Sequence, residues 1–485
     1  MIIYQLLTRV FGATPEKRCS TFSDISDEAI ERIKSLSASH IWLTGVIRHS
    51  GWRDSSAAVT KGKAGSPYAI TDYYDIDPDL ADNEENRMEE FVQTVERIHS
   101  HGLKVIIDLV PNHVAREYKG DFGKNDDKSL QFSPHNNFYY CPNERFVAPT
   151  GDDSYEEFPA KVTGNDVFSP RPSLNDWYDT AKLNYGIDYH DGRKYFSPIP
   201  DTWLKMREII KFWCSKGVDG FRADMAEMVP AEYWSWVIAE VRKSYQVTMI
   251  AEIYQPQLYR SYIAAGFDYL YDKVGLYNTL ENIYRFGQRA DSISEVWKGL
   301  GDMDDKMLRF MENHDEVRLA SRCFMQTPEN AVPFVALSAL MNRGPFMIYN
   351  GQEYGEAAAD SDNGRTSIFD YMYMPAMIDR NSRTHVFSFY RDLMSFRESH
   401  PAIMQGAFYD LMWANPWYNN FDPQYVYAFL RYHGDDKLLI VINFNLNEER
   451  NVTVTIPEDA RRLLGGCDEK IEVKLSPRDV KVVQL

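Results

Sequence analysis

Three acidic residues of the 485-residue chain stand where core packing does not require an acid: Asp224 in GFRADMAEM, Glu252 in IAEIY and Asp315 in MENHDEVR. Each follows a short apolar run of strand-like composition. Arg222 precedes Asp224 by two positions, and on a strand residues i and i+2 share a face. An isolated R-x-D is more often a structural ion pair, and a single acid after a strand is more often a helix N-cap. Three such acids after three different strands are harder to explain that way. Clustered carboxylates in a cleft can cleave glycosidic bonds: one protonates the leaving oxygen and another attacks or activates water. Their pKa values must then be driven apart. Arg222 is expected to favour ionised Asp224, as a nucleophile needs. Glu252, flanked by Ala251 and Ile253, is expected to keep its proton, as an acid needs.

The elements that must position these residues alternate. Apolar runs four to eight residues long (MIIYQLL, HIWLTGV, LKVIIDLV, KGVDGFRAD, VTMIAEI, FDYLYD, MLRFMENH and GPFMIYN) are separated by helical patterns such as DTWLKMREIIKFWCSK. Apolar on both faces, they read as strands of a buried parallel sheet. Eight of them interleaved with helices predict a (β/α)8 TIM barrel, with Asp224, Glu252 and Asp315 at its C-terminal mouth after strands four, five and seven. One βα connection is far longer than the usual about 2–6 residues. It is rich in Asn, Asp, Pro, Gly and Tyr, and it predicts an inserted domain at 114–190 between barrel parts 1–113 and 191–399. From 400 to 485 the runs YVYAFLRYH, KLLIVINFN, NVTVTI, IEVKL and DVKVVQL predict a C-terminal antiparallel β-sandwich.

Composition narrows the partners. A net charge of −18 opposes nucleic acid and anionic membranes. Aromatic residues make up 14% of the chain, and their flat faces suit sugar rings as well as cores. No apolar stretch is long enough to span a bilayer. The five cysteines form no C-x-x-C pair, so neither a zinc site nor a disulfide framework is expected. The opening MIIYQLLTRVFG does not read as a signal peptide, so a cytoplasmic location is expected; a chain with its leader removed would read the same.

The ordered segments PYAITDYYDIDPDL, DLVPNH, GFRADMAEM, AEIY, ENHD and GPFMIYNGQEYGE resemble the signatures of the α-amylase superfamily of retaining glycoside hydrolases. The resemblance spans the first 360 residues or so. It implies that Asp224 is the nucleophile, Glu252 the general acid/base and Asp315 the transition-state stabiliser. It also implies that Arg222 orients Asp224, that His113 and His314 bind sugar hydroxyls, and that Tyr68 stacks under the same sugar. Asp108 and Asn112 become structural. The expected substrate is a starch-derived α-glucan or malto-oligosaccharide, with the α-1,4 bond cleaved through a covalent intermediate. Transglycosylation, isomerisation and exo-acting α-glucosidase activity remain alternatives, as does a non-catalytic accessory subunit. Two segments depart from the pattern. Glu227 and Met228 stand where calcium-dependent members often have Lys-His. Lys182, in AKLN, stands where an Asp is common. Calcium wants several oxygen ligands, so no required cofactor is expected and Ca2+ at the usual site is doubtful. Oligomeric state is not indicated.

Overall fold

The computed structural model describes residues 1–417 and 420–485. Eight parallel strands, β1 (Ile2–Leu7), β2 (His40–Thr44), β3 (Lys104–Leu109), β4 (Gly220–Ala223), β5 (Thr248–Ala251), β6 (Tyr269–Tyr271), β7 (Met307–Phe310) and β8 (Phe346–Tyr349), close a barrel. Each pairs with its neighbours in sequence, and β8 pairs with β1. This is the barrel expected from the alternation of apolar runs and helices. Ile3, Trp42, Ile106, Ile250, Leu308 and Met347, one from each of six strands, belong to a separate apolar cluster. They fill the barrel as layers of inward side chains do. In β4 the residue registered with Asp108 of β3 and Ile250 of β5 is Arg222, a cation within that ring.

The helices cover the outside through one apolar stripe each. Asp201–Ser215 buries Trp203, Met206, Ile209, Ile210 and Trp213, a helical spacing that turns one face to the sheet. Between β3 and this helix lies the long inserted segment. Its two ends are tied by an antiparallel ladder of His113–Ala115 with Thr180–Lys182. Tyr139, Cys141, Phe146, Ala160 and Val162 form a small core within it, joined by Val59 from the loop after β2.

The terminal β-domain has two layers. Strands β9 (Ala407–Asp410), β10 (Val426–His433), β11 (Asp436–Asn443) and β14 (Val480–Gln484) form a four-stranded antiparallel sheet. Strands β12 (Arg450–Thr455) and β13 (Lys470–Leu475) form a separate antiparallel pair. Val452, Val454, Val473 and Leu475 of the pair share one buried cluster with Leu438, Ile440 and Ile442 of β11. No helix among the described residues is long and apolar enough to cross a membrane.

Candidate active site

Arg222 lies fully buried beneath the barrel mouth, and three carboxylates surround it. Its Nη1 donates to Asp224 Oδ1 at 2.8 Å and lies 3.4 Å from Asp108 Oδ1. Its Nη2 lies 2.8 Å from Glu252 Oε1. The two terminal nitrogens of one guanidinium thus hold Asp224 and Glu252 side by side. The strand register explains this: Arg222 is level with Asp108 on one side, and Ala223 is level with Ala251, the residue before Glu252, on the other.

Glu252 collects two further donors. Tyr254 Oη donates to its Oε1 at 2.7 Å, and the Met225 amide donates to its Oε2 at 2.7 Å. Met225 adopts φ 42°, a left-handed conformation. That costs an L-residue about 1–2 kcal/mol, and such strain gathers at functional sites. Here it accompanies the aim of the Met225 amide at Glu252. The apolar surroundings expected for Glu252 from Ala251 and Ile253 are therefore corrected: its neighbours in space are a guanidinium, a phenol and an amide. Neighbours along a strand point to the opposite face, so they do not describe this side chain.

Arg222 acts on Asp224 in the expected direction, but burial outweighs it. Burial pushes the Asp224 carboxyl well above its usual range; Arg222 opposes this, while Glu252 and Asp108 reinforce it. Burial raises Asp108 too. Three carboxylates facing one guanidinium would, if all were ionised, leave a buried uncompensated charge. The upward shifts of Asp224 and Asp108 express that penalty. Asp315 has the opposite character. Burial would raise it, but His314 and Arg222 draw it down to about 2. Its side chain is 40% exposed, and His314 Nε2 lies 3.1 Å from its Oδ2.

The other expected residues divide into two groups. Tyr68 and His113 line the pocket with Asp224, Glu252 and Asp315. Burial and the nearby Lys182 hold the His113 imidazole down to about 3, so near neutral pH it is uncharged. His314 and Arg222 lie behind that wall. His314 contacts the Tyr68 hydroxyl, and its Nδ1 lies 2.7 Å from Gln5 Nε2. It stacks on Tyr68 at 5.3 Å between ring centroids. The sequence reading missed Tyr254, which sits two positions after Glu252; the same i, i+2 logic that singled out Arg222 finds it. It also missed Lys61, Trp177, Asp179 and Phe369, which line the same pocket of about 260 Å³. They come from separate loops, and no local pattern marks them.

The residues at the usual family calcium position do not fit the ion. Lys182, 1% exposed, donates from Nζ to Asn112 Oδ1 at 2.9 Å and lies 2.5 Å from Asp166 Oδ1. Asn112 Nδ2 donates to the Gly164 carbonyl at 2.8 Å. The Asn112 oxygen that a cation would need already accepts an ammonium proton. No group of three His, Cys, Asp or Glu side chains suited to a metal occurs among the described residues. The departure at Glu227 also has a structural account: Glu227 Oε2 accepts the Tyr254 and Gln255 amides, both at 3.0 Å, and ties down the turn that follows Glu252.

Residues 5–367 match the family model described as "Alpha amylase, catalytic domain". Residues 430–485 match that of the "Beta-galactosidase C-terminal domain". The chain belongs to the α-amylase family. It is similar to Alpha-amylase 3 of Dictyoglomus thermophilum, 23% identical over 382 residues that cover 74% of this chain and 65% of that one. It is also similar to trehalose-6-phosphate hydrolase of Bacillus subtilis, 27% identical over 230 residues that cover 47% of this chain and 35% of the relative. The chain thus spans less than two thirds of the length of these curated relatives. Its fold is similar to that of the maltogenic alpha-amylase AmyB from Thermotoga neapolitana, with a TM-score of 0.66 at 21% identity, covering 100% of this chain and 96% of that one.

Proposed function

We propose that the protein is a retaining glycoside hydrolase acting on α-1,4-glucosidic bonds of maltodextrins or related α-glucans. The observation that carries this reading is the grip of Arg222 on both Asp224 and Glu252 at the pocket floor. Carboxylates on neighbouring nitrogens of one guanidinium are close together. Retaining enzymes hold the two carboxyls roughly 5–5.5 Å apart and inverting ones roughly 6.5–9.5 Å, and the retaining spacing is the one proposed.

Asp224 attacks the anomeric carbon while Glu252 gives its proton to the departing glycosidic oxygen. The C–O bond breaks and a glycosyl ester forms on Asp224. Glu252, now ionised, takes a proton from water, and the hydroxide equivalent displaces Asp224. The first step needs one proton within the Asp224–Glu252 pair. Moving it onto Glu252 leaves Asp224 as the anion, with Arg222 touching both states. Asp315 stays ionised and faces the sugar, where it accepts hydrogen bonds from hydroxyls and offsets positive charge at the ring.

A neutral sugar suits the pocket better than a phosphorylated one. Asp179, Asp224, Glu252 and Asp315 line it, and Lys61 is the one cation among the lining residues. An anionic substrate would meet this field unfavourably. The test is Asp224→Asn, assayed on a chromogenic maltoside and for malto-oligosaccharide binding. Turnover should vanish and binding should persist, because the amide is nearly the same size but cannot form the ester. Near-normal turnover in a folded variant would remove Asp224 from the mechanism.

A further inference from the structure

One side of the pocket is walled by three segments from distant parts of the chain. They follow β2 (Lys61–Ser66), close the inserted domain (Trp177–Thr180) and follow β8 (Ile368–Phe369). The first and third are joined. The Ala64 amide donates to the Phe369 carbonyl at 3.0 Å, and the Lys63 amide to Asp370 Oδ1 at 3.2 Å. Buried Arg9 donates to the Ala64 carbonyl at 2.9 Å and the Ile368 carbonyl at 3.2 Å. Gly62, at φ 65°, permits this approach: a Cβ there would come within 2.2 Å of the Phe369 carbonyl oxygen. The first and second segments meet through Lys61, whose Nζ lies 3.6 Å from Asp179 Oδ1.

Asp179 is unusual within this wall. It is 2% exposed and lines the pocket. Apart from Lys61, no side chain among the described residues is hydrogen-bonded or ion-paired to its carboxyl. A buried carboxylate has about four lone-pair sites to satisfy; its own backbone amide and Lys61 take some, and the rest are open to a ligand in the pocket. Beside it the Lys61 ammonium offers donors. A donor and an acceptor side by side, with charges that cancel, match adjacent hydroxyls of a neutral sugar.

The barrel order gives the wall its direction. Glu252 follows β5, which stands across the ring from β1, while the wall rises after β8, β2 and β3, on either side of β1. The leaving group departs on the side of Glu252, which protonates it. The glycosyl unit to be transferred therefore points toward the wall. We infer that Lys61 and Asp179 close the glycon end of the pocket, so that the site takes the non-reducing end of a neutral malto-oligosaccharide rather than the interior of a long chain. This rests on the α-glucan reading above.

The test compares two nitrophenyl malto-oligosaccharides of equal length, one with a free non-reducing end and one with its terminal 4- and 6-hydroxyls bridged by an ethylidene group. The native protein should turn over the free substrate at least tenfold faster than the blocked one. Lys61→Ala and, separately, Asp179→Ala should shrink that ratio at least threefold. Equal rates on both substrates in the native protein would overturn the closed end while leaving the hydrolase reading intact. An unchanged ratio in both folded variants would overturn the role of the pair. Turnover of neither substrate, or of any malto-oligosaccharide, by folded native protein would instead remove the reading on which the inference rests.

Discussion

At the scale of single residues, Arg222 is the organising group. In sequence it looked like the partner of Asp224 alone, because only the i, i+2 relation is visible there. Its contacts with Asp108 and Glu252 come from neighbouring strands, and no local pattern shows them. Replacing it with Leu should have two effects. The Asp224 carboxyl, already raised by burial, loses the cation that opposes that rise and moves higher still. Because Asp224 must be ionised to attack, the acidic limb of the kcat/KM profile should shift to higher pH. With the fork gone, the maximal rate should also fall, by roughly 10²–10⁴-fold. An unmoved limb with a high residual rate would make the ion pair merely structural. Asp315 provides the contrast. Held down to about 2, it is ionised throughout the working range, so the acidic limb belongs to Asp224. Asp315→Asn should therefore lower the rate without moving that limb, which a profile on the same chromogenic substrate would check.

At the scale of elements, two tethers hold the site in place. Glu227 accepts two successive amides after Glu252 and so fixes the turn that carries Tyr254 to it. Hydrogen bonds to a charged group contribute about 1.5–3 kcal/mol each. Glu227→Ala should lower kcat by about tenfold or more with a smaller change in KM, whereas Glu227→Gln, which keeps an acceptor oxygen, should recover most of it. Lys182 is the second tether. It joins Asn112 at the end of the third-strand motif to Asp166 of the inserted domain. We propose that this ammonium does the bracing for which calcium serves elsewhere in the family. Dialysis against EDTA should then change neither activity nor melting temperature, while Lys182→Met should lower the melting temperature. Activity lost to EDTA and restored by calcium would contradict this. The departure at Lys182 was legible because it interrupts a motif. The wall of Lys61, Asp179 and Phe369 was not, because it is assembled from loops more than a hundred residues apart in sequence.

At the scale of the whole molecule, the barrel was legible because buried parallel strands read as near-continuous apolar runs. Even β6, with only three residues in Tyr269–Tyr271, showed as FDYLYD. How the terminal β-domain joins the barrel was not legible, because buried arginines contribute to it and periodicity counts them as polar. Arg431 of β10 donates to the carbonyls of Met341, Ala402, Ile403 and Gly406, and it is 2% exposed. Replacing it with Met should leave those carbonyls short of donors and destabilise the chain by several kcal/mol, at about 1–3 per unsatisfied group. Calorimetry of the variant should then show a lower melting temperature than the native protein. The reaction itself is also read on the intact molecule. The central claim is that Asp224 and Glu252, held close by one guanidinium, act through a covalent glycosyl-enzyme. Proton NMR of the first product released from an α-linked malto-oligosaccharide, recorded before mutarotation, tests it most directly. The account predicts the α-anomer. The β-anomer would show a single displacement by water and would contradict it.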